Sequence, residues 1–218
     1  MSEPSASPPS AAPGPPPAES AEHSSGQARR LVGLYLVGGG LGFIAACTLL
    51  IEKIALLKDP SYVPSCSINP ILSCGSVMST RQAEAFGFPN PILGVAGFAI
   101  VITAGAAIAA GARLERWFWW GLWAGTAFGV AFVHWLIFQS LYRIGALCPY
   151  CMVVWIVTIP IFWYTTLYLA RTSATDGPLA RALRAAGEYH TVVVIAWYLT
   201  ITTLIGERFW DYWSTLLT

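Results

Sequence analysis

Five cysteines hold the reactive chemistry of this chain: Cys47, Cys66, Cys74, Cys148 and Cys151. A thiolate can act as nucleophile, metal ligand or disulfide partner. Cys148-Pro149-Tyr150-Cys151 is a C-x-x-C pair with proline directly after the first cysteine. Proline is favoured at the first helical position, so a helix is predicted to start here with Cys148 at or near its N-cap. Free backbone N–H groups and the positive end of the helix dipole favour a thiolate at that place. Cys151 then lies one turn further on, on the same face. A dithiol with this spacing is suited to thiol–disulfide exchange. A metal site would need two further ligands, and the sequence has no second C-x-x-C and no His pair to supply them, so no metal is expected. A structural staple spanning one helical turn would constrain almost nothing.

The other pair, Cys66 and Cys74, has seven residues between its members, with Pro70 inside and Pro64 just before. A disulfide closing so short a loop contributes roughly 2–3 kcal/mol in the chain-entropy model. Taken alone, the pair reads as a stapled loop. Beside Cys148 and Cys151 on one side of a membrane it becomes the other half of an electron path. Cys47 falls inside an apolar run and reads as a packing residue.

The elements that must position these thiols follow from composition. The 218 residues are 56% hydrophobic and 11% charged, with a mean hydropathy of +0.59, whereas soluble domains carry about 25% charged residues. A net charge of +1 leaves no basic field for nucleic acid. The expected fold class is an all-α polytopic membrane protein. Runs long enough to cross about 30 Å of hydrocarbon occur at 31–51, 92–112, 117–141, 149–170 and 190–208. These predict a four-helix transmembrane bundle plus a fifth transmembrane helix. Residues 1–30, rich in Pro, Ala and Ser, cannot bury a core and are expected to be a disordered cytoplasmic tail. The bundle is assigned to 31–170 with a loop at 52–90. A cytoplasmic loop spans 171–189, and the fifth helix with a short end spans 190–218.

Seven basic residues (Arg29, Arg30, Arg113, Arg116, Arg171, Arg181, Arg184) fall on one side of these spans and five (Lys53, Lys58, Arg81, Arg143, Arg208) on the other. Positive charge is retained inside. The N-terminus is therefore expected in the cytoplasm, with the four loop and C-x-x-C cysteines on the extracytoplasmic side, where disulfides persist. Gly121, Gly125 and Gly129, like Gly38 and Gly42, form small-residue stripes that predict close helix contact and a tight bundle. Trp117, Trp119 and Trp120, with Trp210, Tyr212 and Trp213, suit interfacial belts. Glu52 and Lys53 are expected to face the interface. A short amphipathic helix is predicted at 75–86.

The ordered pattern resembles the vitamin K epoxide reductase family in its bacterial form. The loop pair comes first, followed by Thr80, Phe86-Gly87, Asn90 in Asn-Pro-Ile-Leu-Gly94, and then the C-x-x-C at the start of the last core helix. The membrane oxidase of DsbA-type proteins has similar chemistry, but its C-x-x-C precedes the loop pair. The resemblance covers about residues 31–170. It implies a four-helix bundle cradling a quinone, menaquinone or ubiquinone, in a bacterial plasma membrane. It further implies that Cys66 and Cys74 take electrons from a thioredoxin-like or DsbA-type partner and pass them to Cys148 and Cys151. Cys151 is then the quinone-proximal sulfur, Cys66 meets the partner, and Cys74 exchanges with Cys148. No thioredoxin-like domain follows the fifth span, so the partner is expected to be a separate protein.

Three residues are candidates for contact with the quinone. Asn90 can donate to a carbonyl oxygen or cap its helix. Thr80 can reach the ring or hold the loop. Trp155 stands where the family often has tyrosine, and its indole N–H can donate. His134 lies within the third span, where an ionisable side chain is either a proton relay or a hydrogen-bonded interior histidine. The function read from these residues is a membrane thiol:quinone oxidoreductase for disulfide formation. Its alternative is a membrane scaffold with two structural disulfides.

Overall fold

The computed structural model describes residues 29–172 and 177–217. The tail expected to be disordered lies outside them, except that Arg29 and Arg30 already belong to the first helix. Among the described residues, five helices are long and apolar enough to cross a membrane: α1 (Arg29–Lys58), α3 (Pro91–Ala109), α4 (Arg116–Ile144), α5 (Pro149–Thr172) and α7 (His190–Arg208). The chain is an all-α polytopic membrane protein, and no strand occurs among the described residues. Shorter helices are α2 (Cys74–Met78), α6 (Pro178–Ala186) and α8 (Trp210–Leu217). A helix thus occupies part of the segment expected to be a plain loop at 171–189.

The spans begin and end for local reasons. Pro91, Pro149 and Pro178 each sit at a helix start, where a missing N–H costs no hydrogen bond. Gly111 and Gly145 adopt positive φ of 88° and 71°, a conformation open to glycine, and they release the chain after α3 and α4. The predicted helix over 75–86 is instead two pieces, α2 and a 3₁₀ turn at Arg81–Glu84. Thr80 between them is extended, with ψ of 154°.

Helix α1 packs along α3 and α5, and α4 packs along α5. A core of Leu31, Tyr35, Phe98, Val101, Trp119, Leu122 and Ile161 fills the end of the bundle away from the cysteines. Tyr35 is tied there to α5. Thr165 donates its hydroxyl proton to Ile161 O at 2.6 Å, so the Tyr35 hydroxyl is the donor in its 2.6 Å bond with Thr165. Trp119 is buried against Tyr168, with ring centroids 4.1 Å apart. It belongs to the core and not to the expected belt, because its side of α4 faces α5.

Two glycine stripes behave differently. On α1 the expected close packing holds: a side chain on Gly42 would run into the Phe98 ring, and one on Gly38 would meet Leu34 and Ile161. On α4, Gly121 and Gly125 have nothing near the place of a side chain. Both line a cavity between α3 and α4. The third glycine of this stripe, Gly129, does face Thr158 of α5; at the other two the expected tight contact is absent because no helix lies opposite them closely enough to use the space they leave.

Helix α7 docks on the bundle through polar groups. Trp197 Nε1 donates to His134 Nε2 at 2.8 Å, and His134 Nδ1 donates to Val130 O at 2.7 Å. Both ring nitrogens are thereby engaged, Nε2 in docking α7 and Nδ1 within α4 itself, which supports the interior-histidine reading over the proton relay.

Replacing Tyr35 with phenylalanine removes one buried donor while Thr165 keeps its bond to Ile161. The Tyr35→Phe protein should retain the fold and lose about 1 kcal/mol, read as a drop of roughly 2–4 °C in the melting midpoint in detergent.

Candidate active site

The cysteine centre is built on a loop that folds back onto the start of α5. Asn69 Oδ1 accepts from Ile71 N and Leu72 N at 3.0 and 2.7 Å, which turns the chain halfway between Cys66 and Cys74. Ser73 caps α2, its Oγ accepting from Ser76 N at 3.3 Å. An isolated parallel bridge joins Leu72 to Leu147. Leu147 N donates to Ile71 O at 2.7 Å, and Ser73 N donates to Leu147 O at 2.9 Å. These two bonds place Cys74 beside Cys148, the residues that directly follow Ser73 and Leu147.

Cys66 and Cys74 form a disulfide, while Cys148 and Cys151 are free thiols. Cys74 Sγ lies 3.1 Å from Cys148 Sγ. The sulfurs of Cys66, Cys74 and Cys148 all fall within 4.8 Å of one another. Two of the three are covalently joined and the third is at exchange distance, which is redox geometry. The centre is closed to solvent: Cys66, Cys74 and Cys148 are 5%, 0% and 1% exposed. They share an apolar cluster with Leu49 and Met78.

Cys148 caps α5 as predicted. Its carbonyl accepts from Met152 N at 3.0 Å, and its sulfur accepts from Cys151 N at 3.4 Å. The Cys151 thiol hydrogen-bonded to it holds the Cys148 thiol below its ordinary range. Burial opposes this, and the backbone N–H groups of Cys151 and Tyr150 reinforce it. Helix geometry thus makes Cys148 the better nucleophile of its pair.

Cys151 lies at the inner end of that first turn, on the wall of a cavity of about 590 Å³. Of the four paired cysteines it alone lines this space. The walls come from α1, α3, α4 and α5 and are mainly apolar, including Phe98, Phe128, Phe132 and Val154. A volume of several hundred Å³ lined by apolar and aromatic groups with a few polar ones is that of a small-molecule site. Thr80, Asn90 and Trp155 all line it. Thr80 Oγ1 donates to Val77 O at 2.7 Å. Asn90 Nδ2 donates to Gln82 O at 2.7 Å, and its Oδ1 accepts from Ala85 N at 3.0 Å. Asn90 does not cap α3; it clamps the 82–85 turn over the cavity. Trp155 is buried and its indole N–H has no partner. Cys47 stands apart as a half-buried free thiol.

Glu52 and Lys53 correct the sequence reading. Both are buried, at 7% and 6% exposed, and do not face an interface. The helix continues past them to Lys58, and the cysteine loop folds back over that turn. Glu52 accepts from the Tyr62 hydroxyl at 2.8 Å and from Ser65 Oγ at 2.6 Å. Lys53 Nζ donates to Met78 O at 2.8 Å and pairs with Glu84 at 2.9 Å. A buried charge is tolerated when paired and hydrogen-bonded, and here each one anchors a different segment over the site. The only signal in the sequence was an acid–base pair ending the apolar run on the side that carries the cysteines.

Comparison with known families agrees with this geometry. A sequence model of the vitamin K epoxide reductase family matches residues 34–166. That is more than half of the chain, and the protein belongs to this family of membrane thiol oxidoreductases. No curated protein matched the sequence.

Lys53→Met and Asn90→Ala each cut one tie that holds the 79–88 segment down. Either change should speed trypsin cleavage after the exposed Arg81 by about tenfold, since cleavage tracks the free energy of local opening. Mass spectrometry of the first cut checks this.

Proposed function

We propose that the protein is a thiol:quinone oxidoreductase that keeps a separate thioredoxin-like or DsbA-type protein oxidised for disulfide formation. It would work in a bacterial plasma membrane with its cysteine end extracytoplasmic. The observation that carries this reading is the order of the sulfurs. Cys74 lies 3.1 Å from Cys148, and Cys151, one turn on, faces an apolar cavity. A scaffold with two structural disulfides gives no reason for sulfurs of different pairs to meet at that distance, or for two free thiols beside a disulfide.

The exchange balances as follows. The partner's dithiol reduces the Cys66–Cys74 disulfide and leaves as a disulfide. Cys74 thiolate attacks Cys148 of an inner Cys148–Cys151 disulfide and displaces Cys151 thiolate. Cys66 then attacks Cys74, which re-forms the loop disulfide and frees Cys148. The observed state, with the loop oxidised and both inner thiols free, matches the product of that exchange. Closing the inner disulfide then releases two electrons and two protons at the cavity wall. A quinone bound there supplies the acceptor for both. Trp155, buried with an unpartnered indole N–H, is the donor left over for a carbonyl oxygen. Asn90 and Thr80 act by holding the roof. Cys66 is buried in the observed state, so attack by the partner requires the strip held by Glu52 to lift.

The cavity also suits a long apolar tail. Its lining runs along α4 from Trp117 to Ser140, roughly 35 Å at the helical rise. Gly97, Gly121 and Gly125 leave its walls bare.

Quinone absorbance gives the direct test with DTT-reduced, desalted protein. Wild type and Cys66→Ser should reduce the quinone stoichiometrically, and Cys151→Ser should not. Reduction by Cys151→Ser, or by none of the proteins, would sink the relay. Gly125→Leu fills the slot. It should lower the rate with a long-chain quinone at least tenfold more than with a short-chain one, an estimate of about 1.4 kcal/mol.

A further inference from the structure

We infer that Arg208 and Phe209, where α7 meets α8, are positioning residues for exchange between Cys74 and Cys148. They lie beyond the segment matched by the family model, which ends at residue 166. Helix α7 has little of its surface buried in the bundle, yet its end packs on the segment that leads into Cys148. Arg208 Nε donates to Leu141 O at 2.8 Å. The Arg208 guanidinium also covers the open side of Gly145, where a side chain would stand 3.9 Å away. Phe209 is 6% exposed and packs in one cluster with Ile71, Leu141, Leu147 and Trp155. Tyr212 and Trp213 of α8 pack against the same cluster.

The chain of contacts has one outcome. Residues 140–144 form a π-helical turn that ends in Gly145 at positive φ, so little regular structure fixes the next three residues. Arg208 holds the turn at Leu141, and Phe209 lies in the cluster that encloses Leu147. Leu147 carries the two backbone bonds to Ile71 and Ser73 that set Cys74 against Cys148. Phe209 shares one buried cluster with Ile71 and Leu147, the two residues joined by the bond from Leu147 N to Ile71 O, so it braces that bond from the side. Exchange needs three sulfurs nearly in line, and a misplacement of about 1 Å can cost on the order of a hundredfold.

The inference rests on the proposed relay, but its test does not need a quinone. In a Cys47→Ala, Cys66→Ser, Cys151→Ser protein only Cys74 and Cys148 remain. Mild oxidation with copper-phenanthroline should link them quickly, measured by mass spectrometry of the joined peptide. Adding Phe209→Ala or Arg208→Gln should slow that linkage at least about tenfold, whereas Phe209→Leu, which keeps the apolar bulk, should restore most of the rate. Leu199→Ala, on an exposed face of α7, should change nothing. With the native cysteines present, direct reduction of decylubiquinone by the DTT-reduced Arg208→Gln variant should stay within about twofold of wild type, because it bypasses the loop. A linkage rate unchanged in Arg208→Gln at a native melting temperature overturns the inference. So does an equal loss of linkage and quinone reduction, which would mark general loosening of the bundle. If wild type reduces no quinone, the relay reading fails, while the linkage rates and melting temperatures still decide the role of these residues.

Discussion

Two backbone hydrogen bonds, from Leu147 N to Ile71 O and from Ser73 N to Leu147 O, fix the place where the rest of the molecule converges. A disulfide-bearing loop and a helix start are separated by some seventy residues of sequence and two membrane helices. Loop-closure entropy opposes bringing them together, and side-chain packing alone would leave the register free. A one-residue slip of the bridge would turn Cys74 away from Cys148. Everything around the bridge resists that slip. Asn69 shapes the turn before it, Ser73 starts α2 after it, and the positive φ of Gly145 lets the chain enter Leu147 from α4.

The buried charges at the end of α1 serve the same constraint at a distance. Removing Glu52 and Lys53 from water is costly unless each finds partners. Their partners are the loop strip before Cys66 and the cap segment after α2. The cost is thus offset only when both segments are folded down, which couples closure of the thiol centre to closure of the cavity roof. Hydrophobic burial is not directional and would not distinguish this arrangement from other compact ones. Paired charges and their hydrogen bonds do.

The sequence showed four of the five spans to within about three residues, because hydropathy and length answer to the bilayer and not to tertiary detail; the first runs on to Lys58 because the cysteine loop covers its charged end. The cysteine motifs were equally legible: C-x-x-C after an unstructured connector carries its own geometry, and Pro149 marks the helix start. What failed depended on what lies opposite. Gly42 and Gly121 look alike in sequence, yet one meets Phe98 and the other meets empty space, since a small residue specifies a bare surface and not its neighbour. Trp119 sits between two tryptophans at a helix start and was read with them, although helix rotation turns it inward onto Tyr168. Asn90, singled out at the start of the second span, lines the cavity. Its bonds to Gln82 and Ala85 depend on a 3₁₀ turn that the expected helix over 75–86 would not have formed.

The division of labour between Cys148 and Cys151 follows from a single turn of helix. Residue Cys148 at the cap stands outside the first hydrogen-bonded turn, where N–H groups are free to stabilise a thiolate. Three residues on, Cys151 is within the bundle and looks into apolar space. The pair therefore joins two environments: Cys148 is buried against the loop disulfide, where the proposed relay has it exchange with another thiol, and Cys151 faces the apolar cavity. A C-x-x-C at the middle of a span would place both sulfurs in the apolar medium and lose the thiolate. One in the loop would place both in water and lose the cavity. The proline that starts α5 sets the boundary between those environments inside the motif itself, so in the proposed relay the direction of electron flow would follow from where the helix begins.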